Sequence, residues 1–239
     1  MKIKNMFLVS FFSFCMVQAQ PFCGPALQKP SAANTVIVLD LHGPLFQLNK
    51  TEVAKLIMKT GNKTTVLSLL FNTSFRADLR KTLKETHVAE RIIDKLSKKY
   101  PALESFRPMV ITMGNTQVPV KEMFDLVQKL KAQGYSVFIA SNIGPDMYAD
   151  LHKKFPQELA LFDGAFISSP ENNLVEKPRP EYFEQLKIYL TAHGQSGKQI
   201  LFVDDTQKHV VAAAKQSITS TLFKSGRDLV CLFKKFALI

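Results

Sequence analysis

Three apolar stretches of this sequence end on side chains that can do chemistry. Asp40 ends the first stretch, Ser141 ends the second, and the pair Asp204 and Asp205 ends the third. A carboxylate can attack an electrophilic centre to form a covalent intermediate, and carboxylate oxygens are the ligands that hard divalent cations prefer. These residues therefore indicate a nucleophile and a cation site, provided that the fold brings them together.

Lys177 would supply the positive charge that such a site needs. It lies in the segment Glu176–Glu181, which precedes a predicted helix and carries prolines suited to a first helical turn. A carboxylate that approaches a phosphoryl group is repelled, whereas a nearby ammonium group offsets that charge and keeps neighbouring acids ionised. The hydroxyl of Ser141 and the backbone amides near it could donate hydrogen bonds to phosphoryl oxygens. The set indicates an anionic substrate.

The elements that must position these groups are buried strands. Val36–Leu39, Val137–Ala140 and Ile200–Val203 carry apolar residues on both faces, which is typical of central strands in a parallel sheet covered on two sides. Amphipathic helical patterns lie between them, as in Val120–Leu130. The alternation predicts an α/β fold with a doubly wound parallel sheet, in which ligands bind at the carboxyl ends of the strands.

The order of these residues resembles the four-motif pattern of the haloacid dehalogenase-like (HAD) hydrolase superfamily. In that pattern a nucleophilic Asp is followed by Ser or Thr, then by Lys and then by an acidic pair. This chain has the same order in Asp40, Ser141, Lys177 and Asp204–Asp205. The resemblance covers nearly all of the chain beyond its N-terminal segment. It implies a Rossmann-like core with a small α-helical cap domain inserted after the first motif.

The resemblance also divides the chain into two domains. Residues 20–46 and 117–239 would form the α/β core, and residues 47–116, which lack buried-strand patterns, would form the helical cap. Within the cap, a broadly apolar side predicts one helix over Arg76–Tyr100, stopped by Pro101. A cap of this kind closes over the site, excludes water and shapes the substrate pocket.

The resemblance implies a role for each motif residue. Asp40 would be the nucleophile that forms an aspartyl-phosphate. The residues that bind the phosphoryl group would be Ser141, Asn142 and Lys177. Mg²⁺ is the implied cofactor, and its ligands would be Asp40, the backbone oxygen of His42 and Asp205, with Asp204 as a further ligand. The leading hypothesis is therefore a phosphatase that acts on small phosphate esters.

His42 is where this sequence departs from the family pattern. Phosphatases of the superfamily usually carry a second aspartate at this position, which protonates the leaving alcohol and then activates water. Histidine titrates near neutrality and could serve as the general acid and base instead. A second departure is His209, where the family often has Asp or Asn, and we expect it to lie beside the site or on the surface.

Two other hypotheses fit the same fold. A metal-independent hydrolase of carbon–halogen bonds needs no acid for a halide leaving group, so it would tolerate His42. The acidic pair, Asp204 and Asp205, argues against this hypothesis because such an enzyme needs no cluster of Mg²⁺ ligands. A non-catalytic HAD-fold binding protein, such as a secreted interaction factor, would also accept the substitution.

The N-terminal segment has the features of a secretory signal peptide. Lys2 and Lys4 precede the apolar run Met6–Val17, and Ala19 ends a cleavage site of the expected kind. We therefore expect residues 1–19 to be removed and the protein to be periplasmic or secreted, with an uncleaved N-terminal anchor as the alternative. The run is short for a bilayer span, and no later stretch is long enough.

The chain is basic, with 31 Lys and Arg against 20 Asp and Glu and a formal net charge of +11. This charge is spread along the sequence without the aromatic-interleaved basic motifs of nucleic-acid modules. We therefore expect a small anionic, phosphorylated substrate and no nucleic-acid partner. Export would also permit a disulfide between Cys23 and Cys231, a pairing that the sequence leaves open.

Overall fold

The computed structural model describes residues 22–49, 51–52, 55, 68, 71–85, 89–108 and 116–239. The predicted signal peptide, residues 1–19, lies outside these ranges, as does much of the predicted cap. Among the described residues, no helix is both long enough and apolar enough to cross a bilayer. Nearly all of the predicted core and part of the predicted cap are thus described.

Parallel strands form the centre of the core. The described strands are β1 (Thr35–Leu39), β2 (Phe46–Leu48), β3 (Gln117–Pro119), β4 (Ser136–Ser141), β5 (Gly164–Ile167), β6 (Gln199–Asp204) and β7 (Thr219–Leu222). Five of them form a sheet in the order β5-β4-β1-β6-β7, and each neighbouring pair in it is parallel. The predicted α/β fold with a parallel sheet is therefore confirmed, and β1 is its middle strand.

Helices connect and flank these strands. The described α-helices are α1 (Thr73–Glu85), α2 (Ala89–Ser97), α3 (Lys121–Ala132), α4 (Pro145–Lys154), α5 (Pro156–Leu159), α6 (Pro180–Ala192), α7 (Gln207–Lys215) and α8 (Gly226–Lys235). Two short 3₁₀ helices cover Pro101–Phe106 and Pro170–Asn172. The amphipathic pattern over Val120–Leu130 corresponds to α3, whose apolar residues are buried against the sheet as expected.

The middle strand is apolar throughout because both faces of the sheet are covered. Ile37 and Leu39 pack into a core cluster with residues of α3 and α8, while Val36 and Val38 pack into a second cluster with residues of α6. This alternation follows from the two-residue period of a strand. Burying a side chain of this size contributes about 1.5–3 kcal/mol. The strand that carries Asp40 at its end is thus fixed from both sides.

A short antiparallel pair, β2 with β3, joins the two ends of the predicted cap. Phe46 pairs with Pro119, and Leu48 pairs with Gln117. The sequence pattern did not predict this pair because three-residue strands are too short to show a period. The backbone amide of Gly43 donates to the Phe46 carbonyl at 2.8 Å, so the pair is attached to the loop that follows β1. Both connections to the predicted cap therefore lie beside the carboxyl end of the middle strand.

The prediction of one helix over Arg76–Tyr100 is wrong. Two helices, α1 and α2, occupy this part of the chain, and Pro101 opens a 3₁₀ helix instead of ending an α-helix. A straight helix would separate its ends by roughly 35 Å at 1.5 Å per residue, yet the rings of Phe75 and Tyr100 are in edge contact with centroids 5.2 Å apart. The apolar side was read correctly as a buried face, but it is buried by the two helices folding against each other.

Cys23 and Cys231 are not joined by a disulfide. Both thiols are free, Cys23 partly buried and Cys231 exposed on α8. The backbone of Cys23 instead forms a bridge to Ser220, with the Cys23 amide donating to the Ser220 carbonyl at 2.7 Å. Backbone pairing with β7, and not a covalent link, thus holds the segment before β1 against the sheet.

Candidate active site

The parallel register gathers motif residues at one edge of the sheet. Leu39 of β1 lies opposite Val203 of β6, and the Asp40 amide donates to the Val203 carbonyl at 2.8 Å, so Asp204 follows beside Asp40. Ser141 ends β4 on the other side of the middle strand. The carboxyl ends of three adjacent strands therefore present their polar side chains to the same space, where α/β sheets bind ligands.

Lys177 joins the two buried carboxylates. Its Nζ atom lies 2.9 Å from Asp40 Oδ1 and 2.7 Å from Asp204 Oδ2, and it donates to the Ala140 carbonyl at 2.9 Å. Only 1% of the lysine is exposed. These acceptors can use all three ammonium protons, so the buried charge is fully hydrogen-bonded. The structure thus brings together the predicted nucleophile, the predicted lysine and one of the paired acids.

Asn142 holds the loop that carries this lysine. The Lys177 amide donates to Asn142 Oδ1 at 2.7 Å, and Asn142 Nδ2 donates back to the Lys177 carbonyl at 2.9 Å. This reciprocal pair links the end of β4 to the loop before α6. The side chain of Asn142 is therefore engaged with the protein backbone, and its predicted part in substrate binding stays a prediction.

Burial and charge act in different ways on these groups. Burial raises the pKa of Asp40 from 3.8 to about 7, and the Lys177 charge opposes this shift only in part. Burial would also raise the pKa of Asp204, but Lys177 and His209 outweigh it and hold that pKa well below its usual range. Burial would lower the pKa of Lys177, and the two carboxylates outweigh it and raise that pKa. The lysine is therefore charged at neutral pH.

Asp205 reaches the site because residue 43 is glycine. Gly43 has a φ of +89°, and a Cβ atom at this position would overlap the Asp205 carboxylate. Asp205 is exposed, and its Oδ1 accepts a hydrogen bond from the Thr206 hydroxyl at 3.1 Å. The glycine turn after β1 thus leaves room for the second acid of the pair beside Asp40.

The three carboxylates fit one small divalent cation. Asp40, Asp204 and Asp205 each offer an oxygen, and these oxygens lie within 4.8 Å of one another. Opposite oxygen ligands of Mg²⁺ are separated by about 4.2 Å, twice the metal–oxygen distance. Both carboxylate oxygens of Asp204 already accept hydrogen bonds from other protein groups. The carboxylate of Asp205 accepts one from the Thr206 hydroxyl. Asp40 and Asp205 are therefore the better placed of the predicted side-chain ligands.

A cavity of about 520 Å³ opens over this cluster. Its volume lies in the range of small-molecule sites. The predicted site residues that line it are Asp40, His42, Ser141, Asn142, Lys177 and Asp205. Ile143 and Met147 give it an apolar wall, and Asp204 stays beneath it, bound to Lys177. The cavity can therefore hold a small molecule whose anionic end meets Lys177 and Ser141.

The family of the chain follows from its sequence match. Residues 35–217 match the family model described as haloacid dehalogenase-like hydrolase. This chain belongs to that family. No curated protein matches this chain in sequence. The match spans every residue of the four motifs, from Asp40 to Asp205.

Solved structures share the fold of this HAD-family protein at low identity. A HAD-family enzyme from Bacteroides thetaiotaomicron, solved with magnesium and inorganic phosphate, is 19% identical with a TM-score of 0.57, over 84% of this chain and 99% of that chain. A hydrolase from Streptococcus pneumoniae is 20% identical with a TM-score of 0.52, over 84% and 98%. A dehalogenase is 15% identical with a TM-score of 0.55, over 85% and 98%. At these identities the likeness shows the HAD fold alone.

His42, the departure from the family pattern, is held by a residue that sequence reasoning missed. Its Nε2 atom lies 2.7 Å from Nε2 of Gln117, the first residue of β3. Burial, and then the nearby Lys177 charge, lower the pKa of His42 to about 4, so its ring is neutral at pH 7. Gln117 lies at the boundary of the predicted cap, and no motif in the sequence singles it out.

His209 contacts Asp204, the buried member of the acidic pair. Its Nδ1 atom lies 3.0 Å from Asp204 Oδ1 and 3.2 Å from Asp204 Oδ2, and its side chain is buried. The Thr206 amide also donates to Asp204 Oδ1 at 2.8 Å. The expectation that His209 lies beside the site is thus met, and its contact is with the buried acid of the HAD motif.

A helix of the predicted cap touches the core next to Lys177, the candidate catalytic lysine. Arg91 of α2 lies 2.6 Å from Glu176 and donates to the Leu174 carbonyl at 2.8 Å. Glu176 directly precedes Lys177, and only 4% of its side chain is exposed. Sequence reasoning missed this pair because the two residues are 85 positions apart. In this HAD-family protein, helix α2 therefore contacts the loop that carries Lys177.

Proposed function

We propose that this HAD-family hydrolase is a Mg²⁺-dependent phosphatase that acts on small phosphate esters through an aspartyl-phosphate on Asp40. The observation that carries the proposal is the placement of Lys177 between Asp40 and Asp204, with Asp205 near enough to share a cation. A carboxylate nucleophile needs positive charge beside it when it meets a phosphoryl group, and Lys177 together with a shared cation would supply that charge. The magnesium and phosphate bound by the Bacteroides enzyme of the same fold support the proposal.

The proposed reaction has two displacements at phosphorus. One oxygen of Asp40 attacks phosphorus, and the bond to the ester oxygen breaks with its electron pair leaving on that oxygen. Water then attacks the aspartyl-phosphate, the bond to Asp40 breaks, and the carboxylate is regenerated. The products are an alcohol and inorganic phosphate, and the two protons of the water end on them.

Each site residue has a part in these steps. Asp40 and Asp205, with the backbone oxygen of His42, would hold Mg²⁺, whose charge offsets the repulsion between carboxylate and phosphoryl group. The buried charge of Lys177 would offset the charge of the phosphoryl group and favours the ionised form of Asp40. The Ser141 hydroxyl, which accepts from the Ile143 amide at 3.3 Å, can donate its own proton to the substrate. Closure of the cap would exclude water other than the attacking molecule.

The carboxylate cluster favours this proposal over a metal-independent dehalogenase. Carbon–halogen cleavage by an aspartate needs no second and third acid at the same edge of the sheet, and here three acids lie within 4.8 Å. The fold likeness to a dehalogenase is at 15% identity and carries no argument about activity. A non-catalytic binding protein would keep the fold but has no need of a nucleophile paired with a buried lysine.

The test is phosphate release from a generic aryl phosphate. We expect wild-type turnover that EDTA abolishes and Mg²⁺ restores, and we expect Asp40→Asn to remove it. Asp150→Asn is the matched control, because this aspartate pairs with Lys153 on the exposed side of α4 and lies outside the cavity lining. Chelator-insensitive halide release would favour the dehalogenase. A thermal shift with Mg²⁺ and a metallofluoride phosphoryl mimic, without turnover of any ester, would favour the binding protein.

We also propose that the protein acts outside the cytoplasm. The basic start and apolar run of residues 1–19 support export, with cleavage after Ala19. Expression in a bacterial host followed by fractionation and N-terminal sequencing tests this. A product that keeps Met1 and stays in the cytoplasmic fraction would contradict it.

A further inference from the structure

A second cavity adjoins the one over the carboxylate cluster. It has a volume of about 660 Å³ and is lined by residues at the start of α6 and along α7, so we call it the α6–α7 cavity. Lys208 lines both cavities. Lys177 lines the first, and Pro178, the next residue, lines the second. The two cavities therefore meet at the carboxyl edge of the sheet, with Lys208 at their junction.

The α6–α7 cavity has cationic and apolar walls. Its lining includes Lys208 and Lys215, both exposed, and none of the described residues that line it is acidic. Val211 and Ala212 lie between the two lysines, and 39% of Val211 is exposed. Residues three, four and seven positions apart share one face of a helix, so α7 presents both lysines to the cavity. The cavity therefore suits a ligand with an apolar body and a negative charge.

Helix stability accounts for one of these lysines but not for the other. Lys215 lies in the last turn of α7, where a cation interacts favourably with the helix dipole. Lys208 is the second residue of α7, and a positive charge in the first turn of a helix is unfavourable. That turn carries no acidic residue to offset the charge. An anion bound in the α6–α7 cavity, by contrast, would give both lysines a role.

The two lysines are close enough to hold one anion together. Seven residues of an α-helix rise about 10 Å, so Lys208 and Lys215 are two turns apart. Each ammonium group sits on a flexible four-carbon stem, and the two stems can bend toward an anion bound above Val211. A ligand that reaches this position from Lys177 must pass the junction at Lys208. It therefore needs a spacer between its phosphoryl group and its second anion.

We propose that Lys208 and Lys215 select the substrate of this enzyme, a phosphate monoester whose apolar body lies in the α6–α7 cavity and whose far end carries a second anion. The second anion is a carboxylate or a second phosphate, since ammonium groups bind both. The reaction of this substrate rests on the proposed phosphatase function, whereas the binding of its second anion does not require turnover.

A set of alkyl phosphates that differ only at the far end tests the substrate class. The end groups are a carboxylate, a phosphate, a neutral carboxamide and an ammonium group, each on a series of spacer lengths. We expect kcat/KM to be highest for an anionic end and lowest for the ammonium end. The difference should lie mainly in KM, because the second anion binds away from the reacting bond. The carboxylate and phosphate arms show which anion is preferred. Equal kcat/KM for anionic and neutral ends at every spacer length would overturn the proposal.

Substitution of the lysines tests their part in this preference. Lys208→Gln and Lys215→Gln should each lower the preference for the carboxylate over the carboxamide by about 2–5-fold, the size of an exposed ion pair. Lys215→Glu should favour the ammonium-ended ester over the carboxylate-ended one. Lys235→Gln is the matched control, because this exposed lysine lies in the last turn of α8, which packs on the other face of the sheet. An equal loss of preference in Lys235→Gln would mean that the net charge of the protein attracts the ester, and would overturn the role of the cavity.

Calorimetry with phosphonates, which the enzyme cannot cleave, separates the two proposals. Alkylphosphonates with a carboxylate or a carboxamide at the far end are titrated into the wild type and into the double variant Lys208→Gln, Lys215→Gln. We expect the wild type to bind the carboxylate-ended phosphonate about 5–20-fold more tightly, and the double variant to bind both alike. Absence of turnover of every ester would overturn the proposed function, and this difference in affinity would still support the second site. Equal affinity of the wild type for the two phosphonates would overturn the second site.

Discussion

Two lysine–carboxylate clusters, one in the α/β core and one in the predicted cap, have almost the same N–O distances. In the core, Lys177 lies 2.9 Å from Asp40 and 2.7 Å from Asp204. In the cap, Lys99 lies 2.7 Å from Asp78, whose carboxylate also accepts from a tyrosine hydroxyl. The side chain of Lys177 is 1% exposed and that of Lys99 is 65% exposed. The clusters share these N–O distances and differ in how deeply their charges are buried.

This difference shows that burial, and not bond length, indicates function. Exposed charges are screened by water and salt, so a surface pair contributes little and can be lost without consequence. Charges in the interior interact strongly, and they are kept there at a desolvation cost that well-packed apolar residues would avoid. A charged cluster that is kept buried at that cost, and that lies at the edge of a sheet where ligands bind, is a candidate functional site.

Removal of each lysine should give the largest contrast between the two clusters. We expect Lys177→Met to lower the free energy of unfolding by about 3–5 kcal/mol, because it leaves the buried carboxylates of Asp40 and Asp204 without the ammonium charge that neutralises them. Phosphate release should be lost. Lys99→Met should leave the unfolding midpoint unchanged within error. Urea unfolding of both variants measures this, and equal stability of the two would contradict the importance of burial.

The carboxylates should differ in how they link stability to pH. Burial raises the pKa of Asp40 to about 7, so the folded state disfavours its charge, and the wild type should lose stability as pH rises from about 4 to 7. In the absence of metal, the Asp40→Asn variant does not undergo this loss. Its free energy of unfolding relative to that of the wild type should therefore increase by on the order of 2–3 kcal/mol between pH 5 and 8.

Asp78 is the control for this pH dependence, because its pKa is shifted in the opposite direction. Hydrogen bonds from Lys99 and Tyr100 lower the pKa of Asp78. The stabilisation that the ionised Asp78 carboxylate provides is therefore present above its ordinary pKa and is lost only in acid. The stability difference between Asp78→Asn and the wild type should stay flat between pH 5 and 8. A flat difference for Asp40→Asn as well would contradict the shift at Asp40. The assay needs EDTA, because a bound cation would hold Asp40 charged.

Two glycines of the core, one beside the site and one away from it, provide a further comparison. Gly43 and Gly134 have φ values of +89° and +82°, so alanine at either position should cost about 1–2 kcal/mol in backbone strain. A Cβ atom at Gly134 meets only Ala32 at 3.5 Å, whereas one at Gly43 overlaps Asp205. Gly43→Ala should therefore also weaken Mg²⁺ binding by calorimetry, and Gly134→Ala should not. Equal Mg²⁺ affinity in both variants would exclude Asp205 as a ligand.

The sequence predicted the core of this site better than its surroundings. Asp40, Ser141 and Asp204 lie at the ends of continuous apolar runs of strand length, and the end of each run marks a polar residue at the edge of the sheet. The pairing of β2 with β3 and the contact of Gln117 with His42 were not predicted, because three-residue strands have no detectable period.

Contacts between the predicted cap and the core were equally absent from the sequence pattern. Arg91 and Glu176 meet only through tertiary packing, and in the sequence each resembles an ordinary charged surface residue. The single helix predicted over Arg76–Tyr100 failed for the same reason. Its apolar pattern was real, but pattern alone does not say whether a helix is buried by a neighbour or by folding back on itself.

Loss of the contact between the predicted cap and the core should cost less than loss of Lys177, and it tests whether the predicted cap influences the loop that carries Lys177. Leu174 in this loop has a φ of 54°, a strained value for a branched residue, and its carbonyl accepts from Arg91. We expect Arg91→Ala to cost about 1 kcal/mol, since the arginine is only partly buried. Amide hydrogen exchange in Leu174–Lys177 should become faster, and KM for an aryl phosphate should rise. Arg107→Ala, which breaks pairs with Asp94 and Glu104 inside the cap, should leave that exchange unchanged. Faster exchange in both variants would mean that the loop responds to general loosening of the cap and not to the Arg91 contact.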